Sequence, residues 1–156
     1  MRSFTAFLIT IIALVACTTQ DVCDSDLKAS AVASLYTTRN GVPTDTIISG
    51  FSLYGIRENL PDSLLYDSAN VSKLQLPLDP NHNKSSFVIS IREQSDTIHI
   101  HHESTLYLVS YTCGFAHNYN IQSIDHTGHI IQLIEPVNEF VLAEETNEKE
   151  HFRIYF

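Results

Sequence analysis

Apolar and polar residues alternate along most of this chain in runs too short for helices. Residues 73–78 set Leu74, Leu76 and Leu78 against Lys73, Gln75 and Pro77, which puts three leucines on one face of an extended segment. Pro77 has no N–H to give a ladder, so the segment belongs at an edge or a strand end. Phe87, Ile89 and Ile91 repeat the pattern. Ile98 and Ile100 resume it after the polar stretch Glu93-Gln94-Ser95-Asp96, which predicts a tight turn and a hairpin with one face on the core.

Residues 29–37 carry Val32, Leu35 and Tyr36 in a strand-permissive run that stops at Asn40-Gly41, the dipeptide best suited to a two-residue hairpin turn. Residues 45–56 read as one longer strand, with Gly50 marking a bulge. Leu60-Pro61-Asp62-Ser63 is a turn, and 63–70 reads as a connector. In 106–115, Tyr107, Val109, Tyr111 and Cys113 share one parity, so that face is expected to point inward. Short strands follow at 121–124, 130–134, 140–142 and 152–156. Phe152, Ile154 and Phe156 alternate with Arg153 and Tyr155, which places this last stretch inside a sheet. About 7–8 short strands with turns between them predict an all-β fold, a single β-sandwich of immunoglobulin-like or transthyretin-like type.

The one sustained apolar run, 4–15, follows Arg2, is broken only by Thr5 and Thr10, and ends at Leu14-Val15-Ala16-Cys17. A positive start, an apolar middle and small residues at the end make a secretory signal. Leu-Val-Ala-Cys matches the bacterial lipobox, in which the cysteine thiol takes the acyl chains. The run is shorter than the ~20 residues a bilayer span needs. The expected division is a cleaved lipoprotein signal peptide at 1–16, a tether at 17–28 lipidated on Cys17, and a β-sandwich domain at 29–156. At about 0.8 kcal/mol per buried methylene, two or three acyl chains hold the protein on a membrane. Thr18, rather than Asp, after the cysteine favours the outer membrane, on its periplasmic or its surface face.

The 156-residue chain has a net charge of −9 and would lose one positive charge with Arg2. That balance argues against nucleic acid and anionic lipid headgroups as partners. With Cys17 acylated, Cys23 and Cys113 remain in an oxidising compartment, where a disulfide between them is expected. Cys113-Gly114 lacks the Cys-x-x-Cys spacing of a redox pair.

The lipobox, a second cysteine soon after it, Leu74-Gln75-Leu76-Pro77-Leu78, Tyr111-Thr112-Cys113-Gly114 and His151-Phe152-Arg153-Ile154-Tyr155-Phe156 together resemble a family of small uncharacterised lipoproteins of Bacteroidota, a domain of unknown function. The resemblance runs over nearly the whole mature chain. It implies export, lipidation and a β fold, with no catalytic residue to carry over.

The sharpest candidate chemistry is His99-Ile100-His101-His102-Glu103. On a strand, His99, His101 and Glu103 share a side, and two imidazoles and a carboxylate could hold a divalent metal such as zinc. An exposed polar face opposite Ile98 and Ile100 is the commoner reason for such residues. Asp79, Asn81 and Asn83 are spaced like the first ligands of a calcium loop, but Lys84 and Ser90 stand where its Gly and Glu would be. Asp45-Thr46-Ile47, Asp62-Ser63-Leu64, Asp67-Ser68-Ala69 and Asp96-Thr97-Ile98 look like O-glycan acceptor sites, or like turns leading into strands. There is no Gly-x-Ser-x-Gly elbow, no phosphate-binding glycine loop, and no motif that requires a cofactor. The expected function is therefore a non-enzymatic envelope lipoprotein that binds or braces another envelope protein or a glycan. The alternative is a metal-binding or metal-dependent enzyme at the His99 cluster.

Overall fold

β1 (Ser30–Arg39) is the strand against which one sheet assembles. The computed structural model describes residues 28–39, 41–143 and 149–156. The first half of β1 pairs antiparallel with β5 (Lys73–Pro77), and its second half with β2 (Val42–Asp45). On its other edge it pairs parallel with β11 (Phe152–Tyr155), which pairs antiparallel with β9 (Leu133–Pro136). The second sheet has the order β10-β8-β7-β6-β3-β4. Its strands are β3 (Ile48–Ile56), β4 (Ser63–Val71), β6 (Lys84–Ile91), β7 (Gln94–Ser110), β8 (Gly114–His126) and β10 (Phe140–Val141). The two sheets pack as a β-sandwich, and no helix occurs among the described residues.

The alternation sets the core. Ala31, Ala33, Leu35, Leu74, Leu76, Phe152 and Ile154 come from one sheet and Phe51, Leu53, Phe87, Ile89, Ile98 and Ile100 from the other, all essentially inaccessible to solvent. Each large apolar side chain among them stabilises the fold by roughly 1.5–3 kcal/mol relative to exposure. β4 lies in the six-stranded sheet and β5 in the five-stranded one, with only Ser72 between them. Its carbonyl accepts the Leu35 N–H at 2.9 Å, which stitches the crossing to β1.

Several expectations are met in detail. Arg39 pairs with Val42, leaving a two-residue connection in which Gly41 has φ 77. Gly50 has φ 69 at a register shift between Ile48 and Phe51, the bulge that its lack of a Cβ permits. Phe152–Tyr155 supply an internal strand, between β1 and β9.

Others need correction. Eleven strands are present among the described residues, not about 7–8: the stretch after Gly41 is strand β2, ahead of the strand expected at 45–56, and the connector expected at 63–70 is strand β4. β4 is an edge strand with three register irregularities against β3, so its apolar residues do not alternate cleanly. The turn expected at 93–96 is Arg92-Glu93, with Ile91 facing Gln94 and Arg92 at φ 58. Asp96 lies inside β7 and is buried. The strand expected at 106–115 is two strands and a turn. Tyr111 is fully exposed and Cys113 sits in the turn, so the inward assignment of that face fails for its aromatics. The signal peptide, most of the tether, Cys17 and Cys23 lie outside the described residues.

Candidate functional site

Two connections at one side of the six-stranded sheet form an open polar concavity. The β3–β4 connection is closed by Arg57, whose Nε and Nη2 both donate to the Pro61 carbonyl at 2.9 and 2.6 Å. The β5–β6 connection begins at buried Leu78 and turns at Asp79, whose Oδ1 accepts the Asn81 N–H at 2.9 Å. This self-capping is what a short acidic side chain does in a turn. The loop is pinned from below by Asp79 N–H to Ser85 Oγ at 2.8 Å, by His102 N–H to the Asn83 carbonyl at 2.9 Å, and by Tyr119 O–H to the Leu78 carbonyl at 3.0 Å.

On that platform His82 Nδ1 lies 2.8 Å from Asp79 Oδ2, and its Nε2 lies 3.5 Å from Glu58 Oε2 on the facing connection. The hydrogen bond to Asp79, and then its charge, raise the His82 imidazole above its usual range. Burial works against the ionised form of Asp79, but the Asn81 N–H and His82 outweigh it and hold its carboxyl below the usual value. Glu58, Asp79, His82, Asn83, Lys84, Ser86 and His99, with Ile56, line an open cleft of about 440 Å³. The cleft presents carboxylate acceptors, imidazole and ammonium donors and one apolar side chain, a set suited to hydrogen-bonding a polar ligand.

Behind the cleft the groups are structural. Ser85 Oγ, which accepts the Asp79 N–H, lies 2.9 Å from His102 Nε2, and His102 stands edge-on to Tyr119 with centroids 5.2 Å apart. Burial pushes the His102 imidazole below its usual range and the Tyr119 phenol up to about 12. Ser85 and His102 are spaced like a nucleophile and its base. However, His102 Nδ1 has no hydrogen-bond partner among the described residues, so no carboxylate orients the ring.

The predicted metal cluster is divided by its neighbours. His99, His101 and Glu103 do share the outer face of β7, opposite buried Ile98, Ile100 and His102. His99 Nδ1 is 2.8 Å from Ser86 Oγ, and His101 Nε2 is 3.2 Å from Asp125 Oδ2. Among the described residues no group of three His, Cys, Asp or Glu side chains is placed to hold a metal ion. Of the three residues, only His99 lines the cleft. The partnership of Asp79 and His82 was missed in the sequence; its one local signal is the three-residue spacing across a turn. Glu58 joins only through the tertiary fold. Cys113 is disulfide-bonded, and the other two cysteines lie outside the described residues.

Residues 51–156 match a family of unknown function, DUF6452. The chain belongs to that family. The DUF6452 span takes in every residue of the cleft and most of the six-stranded sheet, while β1 and β2 precede it. No curated protein and no solved structure matches the chain.

Proposed function

We propose that the protein is a non-enzymatic lipoprotein of a Bacteroidota cell envelope, anchored through Cys17 to the outer membrane, that binds a hydroxyl-rich envelope glycan in the cleft. The observation that carries the reading is the convergence of Glu58, Asp79 and His82 from two separate connections on one open polar concavity. Carboxylates accept hydrogen bonds from sugar hydroxyls, while Lys84, Asn83 and the raised-pKa His82 donate them. Leu14-Val15-Ala16-Cys17 supports the anchor, and the bonded state of Cys113 supports a Cys23–Cys113 bridge in an oxidising compartment.

A photo-crosslinking amino acid in place of Asn83 tests the cleft in native membranes. It is expected to trap an adduct that glycosidases shorten and that Glu58→Gln combined with His82→Ala abolishes. An adduct insensitive to both treatments removes the glycan reading. A Cys17→Ser chain that is cut and fractionates like the parent removes the anchor.

A further inference from the structure

The β7–β8 hairpin differs from the rest of the surface. No Asp, Glu, Lys or Arg occurs between Glu103 and Asp125, in a chain of net charge −9. Past Lys84↔His101 on one side and Val141↔Tyr119 on the other, β7 and β8 pair only with each other among the described residues. A two-stranded ribbon in water is marginal by itself. Val109 and Ala116 pack toward the core, while Leu106, Tyr107, Leu108 and Phe115 are exposed at 38–63% and Tyr111 completely. Cys113, in the turn, is disulfide-bonded. An uncharged hairpin tip with exposed aromatic and leucine side chains has the composition of a membrane–water interface element.

We infer that this hairpin tip rests in the interface of the leaflet that holds the acyl chains, so that the protein meets its membrane at two points. The inference depends on the anchor and the Cys23–Cys113 bridge proposed above. Six chain steps at ~3.5 Å separate Cys17 from Cys23, and a disulfide spans about 5.5 Å between Cα atoms. Cys113 therefore lies within roughly 27 Å of the lipidated residue. The leaflet is the one apolar surface that must come this close to the hairpin. Backbone groups at the ribbon edges forbid deep insertion, so the tip sits at headgroup depth with the exposed rings and leucines against the acyl boundary. The charged remainder of the domain stays in water.

The chain contains no Trp, so a single introduced Trp reports its own position. Mature lipidated protein carrying Tyr111→Trp, reconstituted into phosphatidylcholine vesicles brominated near the headgroup end of the acyl chains, is expected to lose about half or more of its emission. Ile47→Trp is the control: Ile47 is exposed and lines the same hollow as Arg92 and Gln94, at the opposite end of β7, and should keep its emission. Both sites are exposed, so neither change threatens the fold. Vesicle-floating protein with an unquenched Trp at 111, or with equal quenching at 111 and 47, overturns the hairpin placement and leaves the anchor standing. Protein that does not float overturns the anchor and the placement together.

Discussion

Asp96 Oδ2 accepts the backbone N–H of Ile131 at 2.8 Å, although 35 positions separate them. The same carboxylate takes the N–H groups of His129 and Ile130 and the Thr127 hydroxyl, and Asp96 itself is fully buried. One side chain thereby fixes the course of the chain from β8 to β9. Burial alone would favour the neutral acid, but four donors overcome it and hold the carboxyl well below the usual range.

Asp96→Asn should therefore cost about 3 kcal/mol, because its amide turns an NH₂ group toward backbone donors that then lose their acceptor. Denaturant unfolding measures the loss, and proteolysis should cut first within 127–131. The folded-state carboxyl is depressed, so its contribution is complete above the unfolded value of about 3.9 and is lost as the pH falls through the lower folded value. A mutant as stable as the parent at neutral pH would refute this account.

Two imidazoles should pull acid stability in opposite directions. His82 is raised, so it stabilises below its unfolded value of about 6.5 and ceases to as the pH rises through its folded value. His102 is lowered, so its contribution is complete above that same unfolded value and is lost as the pH falls toward its folded value. Comparing melting temperatures at about pH 5 and about pH 8, His82→Ala should be more acid-sensitive than the parent. His102→Gln, which keeps an amide near the Ser85 hydroxyl, should be less so. Parallel profiles for all three would contradict the environments described.

Phe152→Ala should destabilise by about 3–5 kcal/mol, since Phe152 is fully buried on a strand between β1 and β9. Removing 152–156 should abolish cooperative unfolding, because it opens two strand edges as well as deleting core. A truncated chain that still melts cooperatively would show that β11 is dispensable.

If Cys23 and Cys113 are bridged, Cys113→Ser and Cys23→Ser should shift non-reducing mobility alike. Each should lose up to about 4.6 kcal/mol, the loop-closure value for a loop of this length. Reductant should destabilise the parent and leave both variants unchanged. Unequal behaviour of the two variants would reassign the bridge.

The sandwich was legible where one face of a strand is dry and the other wet. Leu74, Leu76, Phe87, Ile89, Ile98 and Ile100 alternate because each second side chain must leave water, and all six are buried. Gly41 and Gly50 were legible because positive φ selects glycine. The pattern failed at β4, an irregular edge strand, and at 106–115, where apolar residues stay outside. It also failed at 93–96, where turn-like composition concealed an acid whose value lies in donors from a loop 31–35 positions away.

The order of residues by itself determined that this protein is a two-layer β structure, since period-two hydrophobicity is a local property that any strand must satisfy to bury one face. Only the tertiary structure decided that β11 runs parallel to β1, that Asp96 organises the β8–β9 loop, and that Glu58 meets the Asp79–His82 pair. Those pairings join residues distant in sequence through backbone registers and hydrogen bonds, and no local pattern of side chains encodes such a distance.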